Sequence, residues 1–151
     1  MRYWWRLWFH FFSSNSRHGT HSPFVYKLAD EVIYARSKNT SIEDKRERLL
    51  SDIAAHFGVE YVASGSENGP NRAWIVDDTI ADTERLAAQY TQFKYLVILD
   101  IHKNKARKQL WESICLDSRF IVCIDLFYYG LVFYREEQPK ELFKLRFPYW
   151  R

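Results

Sequence analysis

The chain has 151 residues, with 22 Lys and Arg against 19 Asp and Glu and a formal net charge of +3. That length fits a single core, and so small and evenly spread a basic excess excludes a nucleic-acid surface built on bulk charge. Cys115 and Cys123 have neither metal-motif nor disulfide spacing, so they read as reduced, buried thiols and place the protein in the cytoplasm.

The first segment, MRYWWRLWFHFF, is shorter than the ~20 apolar residues of a spanning helix and is broken by Arg2 and Arg6. It also lacks the aliphatic run of a signal peptide. As a helix it places Arg2, Arg6 and His10 on one polar stripe, with Trp4, Trp5, Leu7, Trp8, Phe9, Phe11 and Phe12 over the remaining surface. Such a helix must dock: on its own domain or a copy of it, in a membrane interface, or on another partner.

THSPFVYKLADEVIY predicts a helix capped by Ser22, with Pro23 at its first position and Phe24, Leu28 and Val32 at spacing four. In TSIEDKRERLLSDIAAHFG, Thr40 and Glu43 form a capping-box pattern and Gly58 ends the helix. VEYVAS (59–64) and AWIVDD (73–78) read as strands around the loop GSENGPNR. Eight residues are too few for a helical crossover, so a pairing of these two strands is expected to be antiparallel.

Thr79 and Asp82 offer a second capping box for a helix through Tyr90, and YLVILD is the continuous apolar run of a strand covered on both faces. A helix from Asn104 buries Leu110, Trp111 and Ile114. FIVCIDL and LVFYRE then form a hairpin with Gly130 at its turn, and ELFKLRF adds a short final strand. The series predicts an α/β fold with a mixed sheet of about five strands and helices on both faces. Residues 1–38 form an N-terminal helical segment and 39–151 the sheet domain.

HGTHSPF (His18 to Phe24), WIVDD, ILDIH and IDLFYYGLVFYREEQPKELFKLRF resemble the class I S-adenosylmethionine-dependent methyltransferases, in particular a bacterial group with an HG-x-HSPF motif. The resemblance covers residues 16–34 and 73–147 and implies a reduced Rossmann-like methyltransferase sheet. Its strand order is 59–64, 73–78, 94–99, 131–136, 119–126, the last at an edge. Only residues 65–72 stand where the family has two strand-helix units of its cofactor half.

Candidate residues follow from strand ends and from the resemblance. Asp77, Asp78 and Asp100 fall at carboxyl ends of strands, where open α/β sheets hold ligands. Asp100 and His102 are the catalytic candidates, His102 by its capacity as a general base. Ser64 and Gly65, with Asp77 and Asp78, are the cofactor candidates. His18, His21, Ser22 and Pro23 are structural, and no metal site is assigned, since Ile101 stands where catechol-type relatives continue their ligand pattern. The expectation is a non-catalytic methyltransferase-like module without cofactor, oligomeric or partner-bound through an open sheet edge and the aromatic helix. The alternative is an active enzyme binding S-adenosylmethionine in a rebuilt or dimer-shared site. Peripheral membrane contact is the third course, and no nucleic-acid partner is expected.

Overall fold

The computed structural model describes residues 2–13, 22–37, 39–80 and 82–150. In chain order the helices are α1 (Arg2–Ser13), α2 (Pro23–Leu28, continuing as a π-helical turn Ala29–Ile33), α3 (Lys45–Phe57), α4 (Thr83–Gln89) and α5 (Lys105–Leu116). The strands are β1 (Glu60–Val62), β2 (Gly69–Val76), β3 (Phe93–Leu99), β4 (Val122–Asp125), β5 (Tyr129–Phe133) and β6 (Glu141–Lys144). They make one mixed six-stranded sheet in the order β1-β2-β3-β5-β4-β6, in which only β5 opposes the direction of the rest. The architecture is α/β and broadly Rossmann-like, with one strand more than the five expected.

Period-two alternation sends the strand residues to two helix layers. Ala73, Tyr95, Val97, Ile124 and Leu131 pack with Val25, Ile33, Leu49 and Ile53 of α2, its π-helical turn and α3. Their neighbours Trp74, Leu96, Ile98, Cys123 and Val132 pack with Leu86, Leu110, Trp111 and Ile114 of α4 and α5. Covered on both faces, the central strands need the unbroken apolar sequence they have. No helix is long and apolar enough to cross a membrane among the described residues.

Local chemistry sets the helix starts. Ser22 caps α2 with Pro23 in its first turn, as expected, Ser22 Oγ accepting from the Val25 amide at 3.5 Å. The α3 cap is Asp44 rather than Thr40, because its carboxylate accepts from the Arg46 and Glu47 amides at 2.7 and 3.1 Å. Two amide bonds to a charged acceptor at the helix's positive end outweigh what the threonine hydroxyl offers. Likewise Asp82 caps α4, while Thr79 is drawn into a turn on the Asp77 carboxylate. Gly58, at φ 62, ends α3 in the left-handed conformation that glycine adopts without a Cβ penalty. His18 and His21 lie outside the described residues.

Three expectations are corrected. First, β1 and β2 pair in parallel, Tyr61 opposite Ala73 and Val62 opposite Trp74. The crossover rule assumes a return along a full strand by a helix. Here β1 has three residues, a rise of about 10 Å, and residues 63–68 retrace it without one. Second, strand 119–126 is not an edge, because β6 pairs parallel with β4 and covers it. Third, Gly130 is not at the turn: Leu126 to Tyr128 make it, with Phe127 at φ 71, and Gly130 lies within β5 opposite Ile98 and Asp125. The Trp111 indole lies against it, and a Cβ there would stand 2.3 Å from the ring.

Gly130→Ala is accordingly expected to cost about 1–3 kcal/mol by overpacking. Gly69→Ala, whose Cβ would meet nothing nearer than 3.7 Å, should stay within about 0.5 kcal/mol of the parent. Equilibrium denaturation of the two variants checks the contrast.

Candidate functional site

Because five strands point the same way, the residues that end them share one margin of the sheet. Ser64 follows β1, Asp77 and Asp78 follow β2, Asp100 follows β3, and Asp125 is the last residue of β4. This carboxyl-end margin is where open α/β sheets collect ligand-binding groups. Two features occupy it: an acidic ledge over β2 and β3, and a buried histidine-aspartate cluster at β4.

The ledge surrounds a cavity of about 280 Å³ lined by Asp77, Asp78, Thr79, Leu99 and Asp100. Its acids are engaged by the protein itself. The Asp77 carboxylate accepts from the Thr79 hydroxyl and amide at 2.6 and 2.9 Å, and the hydroxyl bond chiefly holds its pKa below the usual carboxylate range. Lys103 Nζ lies 3.1 Å from Asp78 and 3.5 Å from Asp100. With an internal ammonium bridging two of the three acids, the ledge presents too few free oxygens for a hard divalent cation.

Beneath the ledge lies Arg107, which the sequence reading did not single out. It comes from the first turn of α5, where the Asn104 cap directs the helix across the ends of β2 and β3. Its guanidinium donates to the carbonyls of Leu99 (2.7 and 3.1 Å), Asp77 (2.8 Å), Val76 (3.1 Å) and Ile80 (3.3 Å). Burial lowers its pKa, opposed by Asp78, Asp100 and Asp77. Arg107 thus fastens the strand-end carbonyls to one another, a task suited to a planar five-donor fork.

The second feature unites residues far apart in sequence. His10, from the polar stripe of α1, places Nε2 2.7 Å from Asp125 Oδ1, and His102, from the β3–α5 loop, places Nε2 2.8 Å from Asp125 Oδ2. The Phe127 amide donates to Oδ1 at 2.8 Å. An ionised carboxylate only accepts, so both imidazoles donate from Nε2. Burial pushes the Asp125 carboxyl up, but the bonds from His10 and His102 outweigh it and hold the group well below the ordinary carboxylate range. The Phe127 ring stacks on His102 (centroids 5.1 Å, interplanar 19°) and meets His10 edge-on at 5.3 Å. Among the described residues, only His10, His102 and Asp125 bring three ligand-type side chains within 4.8 Å of one another.

Backbone conformation singles out the same place. Among the described residues, the non-glycine positions with positive φ are Asp100 (54°) and Phe127 (71°), the first lying two residues before His102 and the second stacked on its ring. A bulky residue in this region costs on the order of 1–3 kcal/mol, and such residues cluster at functional sites. Asp100 is held there by its amide bond to the Tyr128 carbonyl at 2.7 Å.

The structure therefore divides the candidates. Asp77, Asp78 and Asp100 do come together, on the ledge. His102 turns away from Asp100 toward Asp125, and it is not the surface residue its loop position suggests. Ser64 pairs with Ser66, Oγ to Oγ at 2.7 Å. Gly65 is buried, and a Cβ there would meet Gln89 Oε1 at 2.3 Å and the Trp74 ring at 2.8 Å. The glycine thus serves close packing, with Trp74 Nε1 donating to the Ala63 carbonyl at 3.2 Å. No helix begins behind this loop to direct amides at a ligand. Ser64 and Gly65 therefore do not fit a nucleoside cofactor.

The chain matches no protein-family model, no curated protein and no solved structure. On the site's internal logic, Arg107→Ala should destabilise the fold by about 3 kcal/mol, since it strands several carbonyls at once. Asp77→Asn preserves the turn on Thr79 and should change stability by less than about 0.5 kcal/mol. Urea titration of both variants separates the buried clamp from the exposed ledge.

Proposed function

We propose that this chain is a methyltransferase-like protein without methyl-transfer activity, acting as a module through which two copies associate. The observation that carries the reading is the orientation of α1. Its polar stripe faces the domain: His10 is 3% exposed, and Arg6 Nη1 reaches the His102 carbonyl at 3.5 Å. Four of its aromatics face out, with Trp4 66%, Trp5 75%, Trp8 60% and Phe9 72% exposed. Large apolar groups gathered on one exposed face mark an interaction surface, and tryptophan is the residue type that most often dominates interface energies.

A second copy is the occupant favoured by the neighbouring sheet edge. Lys144 of β6 lies with Nζ 5.1 Å from the Phe9 ring, so the aromatic face adjoins the outer edge of β6. That edge carries Leu142, 55% exposed. An open strand pairs readily with its own copy across a two-fold axis. The close packing of Gly65 against Trp74 and Gln89 supports the non-catalytic reading, and the unbridged thiols of Cys115 and Cys123 fit a reducing, cytoplasmic setting.

One observation favours a second reading, an active S-adenosylmethionine-dependent enzyme with a rebuilt or dimer-shared site. The parallel pairing of β1 with β2 puts Ser64, Asp77 and Asp100 on one margin. A ligand bound at a hundred times its dissociation constant stabilises by about 2.7 kcal/mol. The first reading requires no shift in Tm with S-adenosylmethionine or its demethylated product.

Sedimentation measurements are expected to give a dimer for the parent chain. Trp5→Ser and Leu142→Lys should each weaken it, the tryptophan by about 2 kcal/mol. A parent monomer at high concentration would sink self-association. If that monomer floated with anionic vesicles, the aromatic face would be assigned to a membrane surface instead.

A further inference from the structure

We propose that His10, His102 and Asp125 form a binding site for a zinc-type divalent transition-metal ion, which joins α1 to the end of the sheet. The inference rests on the side-chain geometry of this cluster and not on the dimer reading.

The three side chains arrive from separate elements and present their ligand atoms to one point. Both imidazoles offer Nε2, and the carboxylate offers an oxygen to each. Two atoms bound at ~2.1 Å to one tetrahedral ion stand about 3.4 Å apart. The nitrogen-to-oxygen separations of 2.7 and 2.8 Å therefore need to open by about 0.6–0.7 Å for an ion to enter, with the three ligand atoms already within 4.8 Å of one another. To coordinate through the Nε2 lone pair each ring would give up the Nε2 proton it now donates to Asp125; that proton leaves to solvent, and the bound neutral ring carries its one proton on Nδ1.

The ligand set selects the ion. Two imidazoles and one carboxylate suit zinc and its neighbours, whereas magnesium and calcium require mostly oxygen. Three protein ligands leave a fourth position for water, the arrangement of an accessible rather than a closed zinc site. Support around the ligands is already built. The Phe127 amide fixes Asp125 Oδ1, its ring lies flat on His102, and its backbone is held at φ 71 while it does both. Outer contacts of this kind orient metal ligands and raise affinity. Arg6 reaches the His102 carbonyl, and Lys144 lies over the Phe9 ring while also interacting with the Asp125 charge.

The test uses the full chain after chelator treatment. Equilibrium dialysis with zinc is expected to give one ion per chain and a raised Tm, and cobalt(II) should give the visible absorption of a four-coordinate complex. His102→Ala and Asp125→Asn should each weaken zinc binding by roughly tenfold or more. The double variant His18→Ala, His21→Ala should retain it. Failure of the parent chain to bind zinc overturns the proposal without any variant having to fold. So does loss of the ion on replacing His18 and His21, or its retention in a folded His102→Ala protein.

Discussion

A carboxylate withdrawn from water at the end of a strand has to be neutralised or hydrogen-bonded, and Asp125 meets that demand with two imidazoles and an amide. One of those imidazoles belongs to α1. Once His10 points inward, the spacing of four along the helix carries Arg6 in beside it, and the tryptophans have only the outer surface left. The helix is thus inverted relative to an ordinary surface helix, which buries its apolar stripe. A single buried acid therefore decides which face of α1 is exposed.

The same margin of the sheet is stabilised by opposite means a few residues away. Arg107 is a buried cation whose main partners are carbonyl dipoles at the ends of β2 and β3. The ledge above it is bridged by Lys103. The margin is thus internally satisfied over β2 and β3, whereas at β4 the Asp125 cluster is tied to an element from the far end of the chain.

Much of this was legible in sequence. Apolar runs identified the central strands, and capping residues identified Ser22, Gly58 and Asn104 as helix boundaries, because these features are governed by neighbours in the chain; the order of the strands was an expectation of the resemblance, not of the runs. Direction and pairing were less accessible. The parallel setting of β1 depends on how short that strand is, and the role of Gly130 depends on where the Trp111 ring lands. The polar stripe of α1 was visible, but not its target, since His10 and Asp125 are 115 positions apart. Asp125 itself carried a usable signal: FIVCID ends an apolar run in acid, as AWIVDD and YLVILD do. Applying the strand-end rule to that third run identifies the residue on which the site is built.

The short return between β1 and β2 explains how the sheet closes on this side without a crossover helix. A parallel strand normally needs a helix to cover the face it crosses. Here that face is filled by Trp74, which is fully buried and held through Nε1 by the Ala63 carbonyl, while Gly65 lets the returning backbone lie against its ring. One indole and one absent Cβ thus let the return pass without a helix of its own. Because Gly65 is used to seal the core, the β1–β2 connection is committed to packing against Trp74. The polar chemistry of the margin is correspondingly concentrated at β4, where the Asp125 carboxylate meets two imidazoles.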